Sequence, residues 1–316
     1  MKKRLQFFLL AIIFGIILTG QIVCVSAAPA QMSFVQDDQA GTLTIWDGKA
    51  RILTYRFGDQ LKKGVDAKYT RSCYIHPLYS LDGIVLTEEF PEDHAHHYGV
   101  FWTWPVVKTR GQDTETWHPA VPSLRQHFVR WMNRVIDHDR ALFQVENAWR
   151  LDGDEVVAKE SLTLIVHAAD AFGRAIDIEI VLQAVGGPLE LSGSPEADKG
   201  YGGLCVRGAP MFQGAVMSTE QGVLEKDVTN VRFRWADIST GELGVALFVS
   251  LDHPDFPIPW LIRNSYAGVI NPSWPGLEAQ VLQPQRPVTL RYRIYIHRGD
   301  VESGRVRQVY ARYVSR

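Results

Sequence analysis

The sequence predicts an all-β domain, a sandwich or barrel, and three observations carry that reading. Apolar and polar residues alternate along several stretches, as in Leu162, Leu164 and Val166 against Ser161, Thr163 and His167, which is the period of a half-buried strand. Asp-Gly turn signals recur between apolar runs, at Asp47-Gly48, Asp82-Gly83 and Asp152-Gly153. Helical spacing is confined to the tail, where Val306, Val309, Tyr310 and Tyr313 recur three to four residues apart. Many strands, regular turns and almost no helix leave sheet packed on sheet or a closed barrel.

The chain opens with a targeting pattern. Lys2, Lys3 and Arg4 precede an almost wholly apolar run from Leu5 to Val25, and Val25-Ser26-Ala27 supplies the small residues of a cleavage site. The expected organisation is a signal peptide over 1–28 and a single β-sandwich domain over 29–316. An uncleaved anchor is the alternative, because the run could span a bilayer, which takes about 20 residues. Cys24 lacks the preceding small residues of a lipoprotein signal, and no later stretch is apolar enough to cross a membrane. The expected location is therefore periplasmic or extracellular, with no membrane partner beyond that segment.

The strands follow in order. Leu43–Trp46 and Arg51–Arg56 flank Asp47-Gly48 as one hairpin, and Arg71–Ser80 and Ile84–Phe90 flank Asp82-Gly83 as another. Pro91-Glu92-Asp93 breaks the pattern before a strand at Val100–Trp104. Phe128–Ile136, Ala141–Leu151 and Val156–His167 are separated by Asp137-His138-Asp139 and Asp152-Gly153-Asp154. Ala175–Val185 ends at Gly186-Gly187-Pro188, and the Gly-, Pro- and Ser-rich stretch Gly186–Gly203 reads as a functional loop within one domain. Val231–Trp235 alternates, Gly244–Leu251 is a continuous buried-type run, and Leu290, Tyr292, Ile294 and Ile296 alternate with charged or polar neighbours. There is no internal repeat and no linker.

Charge and cysteine usage narrow the function. The formal charge of -2 becomes -5 without the first 28 residues, since 30 Lys and Arg then face 35 Asp and Glu. A mildly acidic chain argues against a nucleic-acid partner. Cys73 and Cys205 are expected as two buried free thiols rather than a pair, because a chain of about 290 residues buries a large core without a staple.

Four of the ten histidines, His76, His94, His96 and His97, fall between Arg71 and Trp104. Imidazole serves as acid, base or metal ligand near neutral pH, so this stretch is the first candidate site. On an extended backbone His94 and His96 point one way and His97 the other. That pair would present two nitrogens to one divalent metal ion, with His76, Asp93 or His118 as third ligand. No cofactor is otherwise expected. Trp102, Trp104, Trp117 and Trp149 form an aromatic set, and Trp and Tyr faces stack on sugar rings. Each tryptophan alone fits a core better; Trp117-His118, in a polar loop, is the functional candidate. Lys199–Arg207 carries glycines that allow close backbone approach, with Tyr201 and Arg207 to hold hydroxyls or a carboxylate. The phosphate-loop spacing is absent there. Asp252-His253 is a candidate acid–base pair, and the proline-rich path after it leads through Asn271 to Glu278. No serine-nucleophile context occurs.

These segments resemble the PmoA-like family, of unknown function. The matching pieces are R-S-C-Y-I-H-P-L-Y-S-L-D-G from Arg71, D-H-A-H-H-Y-G-V-F-W-T-W from Asp93, G-S-P-E-A-D-K-G-Y-G-G-L-C-V-R from Gly193, L-D-H-P-D-F-P-I-P-W from Leu251 and L-R-Y-R-I-Y-I-H-R-G from Leu290. The family's name points to methane monooxygenase, an activity that nothing in this chain supports. A second resemblance joins Gly276-Leu277-Glu278-Ala279-Gln280, Leu282-Gln283-Pro284 and the strand from Thr289 to His297 to galactose mutarotase-like proteins. It implies a large antiparallel β-supersandwich, to which the helical spacing of the tail adds a short C-terminal helix. It further implies Glu278 as catalytic base and His96 or His97 as catalytic acid.

The function expected from all this is acid–base chemistry on a sugar by an exported protein, of epimerase, hydrolase or lyase type. Arg71, His76, Asp93, Trp102, Trp117, His118, Tyr201, Arg207, Asp252, His253 and Asn271 are its candidate substrate-binding residues. The alternatives are a non-catalytic sugar-binding protein and a metal-dependent enzyme built on His94 and His96.

Overall fold

The computed structural model describes residues 32–265 and 268–315, so the expected signal segment lies outside the described residues. The strands run β1 (Met32–Asp37), β2 (Thr42–Asp47), β3 (Ala50–Arg56), β4 (Tyr74–Leu78), β5 (Val100–Thr103), β6 (Val106–Thr109) and β7 (Gln112–Thr114). Four long strands follow, β8 (Leu124–Ile136), β9 (Arg140–Leu151), β10 (Glu155–His167) and β11 (Gly173–Ala184). Then come β12 (Leu189–Ser192), β13 (Gly203–Arg207), β14 (Val216–Thr219), β15 (Gly222–Leu224), β16 (Val228–Phe233) and β17 (Trp235–Ser239). The last are β18 (Leu243–Val249), β19 (Ile258–Arg263), β20 (Val269–Pro272), β21 (Gln280–Leu282) and β22 (Val288–Arg298), before helix α1 (Val306–Val314).

All pairings are antiparallel. One nine-stranded sheet has the order β1-β2-β3-β4-β5-β13-β20-β19-β16 and a second the order β15-β14-β17-β18-β22-β11-β10-β9-β8. A four-stranded sheet, β21-β12-β6-β7, adds Val107, Leu189, Leu191 and Leu282 to the core between them. The molecule is thus an all-β sandwich with one C-terminal helix.

Side-chain alternation decides which face meets the core. In β22, Leu290, Tyr292, Ile294 and Ile296 enter the intersheet core. Their neighbour Tyr295 joins the opposite face, where Val306, Val309 and Tyr310 of α1 cover Trp235, Ala246 and Phe248. In the first sheet, Ile75, Val100, Trp102, Leu204, Val206, Ile262 and Ile270 face inward. Tyr74, Phe101, Cys205, Leu261 and Val269 form a second apolar cluster on its outer face. Antiparallel register stacks these outer residues side by side, with Cys205 opposite Phe101 and Arg207 opposite Val269. That outer face carries the candidate site.

Two expectations change. The turn at Asp82-Gly83 forms, and Leu86 N–H bonds the Leu78 carbonyl at 2.8 Å. The arm Ile84–Phe90, however, makes only isolated bridges, at Val85, Thr87 and Glu89, because its partners come from three different segments. Gly186–Gly203 is not all loop, since Leu189–Ser192 pairs with both β6 and β21. Cys73 and Cys205 are free and buried, Cys73 in the intersheet core and Cys205 on the outer face.

Candidate functional site

The expected extended run at Asp93–His97 is instead a turn. His94 N–H bonds the Pro91 carbonyl at 3.2 Å and His97 N–H bonds the His94 carbonyl at 2.9 Å. Pro91 cannot donate to a sheet ladder, and the chain folds back on itself after it. As a result the three imidazoles converge instead of pointing to opposite sides. His94 stacks on His97 with centroids 4.8 Å apart, and His96 lies 4.7 Å from His97 and 5.5 Å from His94. His118 arrives from another loop and packs on His96 at 4.4 Å. Gly99 makes this placement possible: at φ +77 a Cβ there would lie 2.5 Å from the Ile75 carbonyl oxygen. Only glycine lets β5 approach β4 so closely.

Beneath the imidazoles lies Arg207, 3% exposed. Its Nη2 donates to both Asp93 carboxylate oxygens at 3.0 and 3.2 Å and to Glu88 at 3.4 Å. Its Nη1 lies 3.5 Å from His97 Nδ1, at the long end of hydrogen-bonding distance. Asp93 also pairs with His94 Nδ1 at 2.9 Å. Partial burial raises the Asp93 carboxyl, but His94 and Arg207 together outweigh it and hold the group below its ordinary value. Burial, reinforced by His118 and His94, pushes His96 down to about 3. Burial, then His96, His94 and Arg207, holds His97 well below the usual imidazole range. Both rings are neutral at physiological pH.

His118 is oriented by a carboxylate that the sequence reading missed. Glu115 accepts from the His118 backbone N–H at 3.0 Å and lies 2.8 Å from its Nδ1. The segment is pinned by Thr116, which exchanges backbone and hydroxyl bonds with Trp104 at 2.8 Å. Arg71 Nη1 donates to the Thr116 carbonyl at 3.1 Å. Trp117 is buried under Tyr201 and Phe101, with centroids at 4.7 and 5.3 Å, so the half-exposed Tyr201 is the aromatic face open to solvent.

His76 lies on the same outer face, two strands from Arg207. Its Nδ1 is 3.0 Å from the Thr87 hydroxyl and its Nε2 3.8 Å from Glu89, which also takes bonds from Arg56 and Tyr74. Burial and Arg56 hold His76 at about 3.

The remaining candidates fall elsewhere. Trp102 is 1% exposed in the intersheet core and has no face open to a ligand. Arg71 is buried, between Thr116 and Gln126. Asn271 is buried and bonds Gly202, Leu204 and Ser273, which clamps β13 to β20. Asp252 and His253 do not pair with each other: Asp252 bonds Ser250 and Arg291, while buried His253 bonds the Pro254 carbonyl and the Tyr292 hydroxyl, both at 2.8 Å. Glu278 is exposed, and among the described residues no hydrogen bond or ion pair joins it to His76, His96, His97 or His118. Its turn touches the loop bearing Tyr201 through Gly193 N–H and the Gly276 carbonyl, 2.6 Å apart. Among the described residues no group of three or more His, Cys, Asp or Glu is arranged to hold a metal ion.

A groove of about 670 Å³ on the outer face of the second sheet is more spacious. Its charges are committed to one another, Arg291 to Glu179 and Asp252 and Arg293 to Asp177, so it offers a ligand less than the histidine cluster does. Convergent imidazoles are better evidence of chemistry than volume.

Fold and site define an all-β sandwich with a histidine cluster on the outer face of one sheet. The chain belongs to DUF6807, a family of unknown function, whose model matches residues 43–311. No curated protein matches it. Among solved structures it is similar to the Slr1438 protein from Synechocystis sp. PCC 6803, at 10% identity and a TM-score of 0.40, over 87% of this chain and 99% of that one. It is also similar to a "putative aldose 1-epimerase" from Klebsiella pneumoniae subsp. pneumoniae, at 12% identity and a TM-score of 0.27, over 88% of this chain and 85% of that one.

Proposed function

We propose that this protein is exported and performs acid–base chemistry on a carbohydrate at the outer face of the first sheet. The observation that carries the reading is the convergence of His94, His96, His97 and His118 around the buried Arg207. His96 and His97 are held neutral, so their ring N–H groups can donate hydrogen bonds to a substrate oxygen, while rings this weakly basic are poor proton acceptors near pH 7. Tyr201 and the polar rim at Glu115 and Asp93 suit a hydroxyl-rich ring. The PmoA-like resemblance enters only through the order of its segments, which meet here at Asp93–Trp104 and Gly193–Arg207. A purely binding role built on Trp102 and Trp117 has less support, because both rings are buried.

The test is an NMR screen of mono- and oligosaccharides with the full chain. One class is expected to turn over, with loss of at least about 100-fold in His118→Gln and His97→Asn, as removal of a general base or an oxyanion donor entails. Absence of turnover across the screen would sink the reading. The chemistry is proposed to be metal-free, carried by side chains alone. Elemental analysis of untagged protein checks this, and a stoichiometric transition metal lost in a His94→Ala/His96→Ala double variant would overturn it.

A further inference from the structure

We infer that Glu115 and Arg207 lock two imidazoles of the cluster in opposite tautomers, which makes His118 Nε2 a proton acceptor and His97 Nε2–H a hydrogen-bond donor. The argument starts from what each partner can do. An ionised carboxylate only accepts, so the Glu115 oxygen 2.8 Å from His118 Nδ1 requires the proton to be on Nδ1. The lone pair then sits on Nε2. A guanidinium only donates, so Arg207 Nη1 at 3.5 Å from His97 Nδ1 favours the lone pair on Nδ1 and the proton on Nε2. His97 is 6% exposed, and its Nε2 has no hydrogen-bond partner among the described residues. The atom itself is not buried, so it reaches solvent, where a ligand oxygen can meet it. His96 touches both rings, at 4.4 Å from His118 and 4.7 Å from His97, so the three imidazoles form one contiguous group.

This deepens the proposed reading and rests on it, and it names the substrate feature that the pair fits: an O–H next to a second oxygen able to take negative charge. A cyclic hemiacetal has both. Its hydroxyl proton passes to His118 Nε2, giving an imidazolium next to the Glu115 carboxylate. The electron pair left on that oxygen forms the C=O bond as the ring C–O bond breaks. The ring oxygen takes the pair of the broken bond and is held by His97 Nε2–H, in the manner of an oxyanion donor. The proton on His118, relayed through water, then neutralises it. Glu115 is a positioning residue in this scheme, and His118 is the base.

The test is a long-range ¹H–¹⁵N correlation spectrum of the full chain labelled with ¹⁵N-histidine, at pH 8, with His118→Gln and His97→Asn to assign signals. His118 is expected protonated on Nδ1 and His97 on Nε2. In Glu115→Gln, where the amide can also donate, the His118 signal is expected to move towards the other tautomer. The same tautomer in both rings, or a His118 signal unmoved by Glu115→Gln, would overturn the inference. For any sugar that turns over, Glu115→Gln is expected to lower kcat about 100-fold with little change in KM; an unchanged kcat would also overturn it. Expected tautomers without turnover of any sugar would instead count against the carbohydrate reading and leave the tautomer assignment standing.

Discussion

Glu160 is wholly buried in the intersheet core, and three donors converge on its carboxylate. Asn147 Nδ2 bonds one oxygen at 2.9 Å, while Trp149 Nε1 and Gln126 Nε2 bond the other at 2.9 and 3.0 Å. Gln126 in turn binds Arg71, so the network runs from the core to the underside of the His118 loop. Glu160→Gln replaces an acceptor with an amide N–H₂ facing another donor. A loss of about 1–3 kcal/mol is expected, the cost of one unsatisfied buried polar group. Urea unfolding measures it, and an unchanged midpoint would show that the network tolerates a neutral group. Part of this was legible: Glu160 shares parity with Leu162 and Leu164, which places it on the core face. Its three donors were not, because they come from β8 and β9 through pairings that local sequence does not encode. Glu115 escaped notice for a related reason, since an acidic residue in a polar loop reads as solvated until the fold brings His118 back onto it.

At the scale of elements, the long strands and α1 were legible because each has a single buried face, and the period is then unambiguous. The strand at Val100–Trp104 was legible too, but the facing of its side chains was not, because it is buried on both faces and alternation vanishes. Trp102 therefore read as a candidate ligand platform, although it faces the core and Phe101 faces the site. The short strands β6, β7, β12 and β21 carry too few residues to show a period. The segment Glu115–His118 has no regular structure at all, and its position depends on Trp104 and Arg71. Arg71→Met removes the bond to the Thr116 carbonyl and leaves Gln126 without its cation. Bonds to charged groups contribute about 1.5–3 kcal/mol each, so a comparable loss of stability is expected. Hydrogen exchange at the Thr116 and His118 amides should accelerate more than exchange in β10. Equal acceleration throughout would mean that Arg71 supports the core alone and not the loop.

For the molecule as a whole, the buried histidines set the response to acid. Burial holds His76 and His96 at about 3 and His253 at about 4. In the unfolded chain each titrates near about 6.5. These groups are depressed bases, so the unfolded state binds a proton that the folded state lacks at any pH between the two values. Stability is therefore full above about 6.5 and falls as pH drops, until the folded groups themselves titrate near 3–4. Asp93 and Asp177, whose folded values are lowered, lose stability in the same direction, but only below about 4, where free aspartate titrates. The window from about 6.5 down to about 4.5 thus belongs to the histidines, each adding up to about 1.4 kcal/mol per pH unit. A plot of urea midpoint against pH should be flat near pH 7–8 and steepen steadily through this window. His76→Gln keeps a polar partner for Thr87 while removing one titrating group, so its curve should be shallower by about one proton. A midpoint unchanged between about pH 7 and about pH 4.5 would show that these rings gain protons without unfolding, and that the outer-face cluster is open to water rather than held neutral by burial.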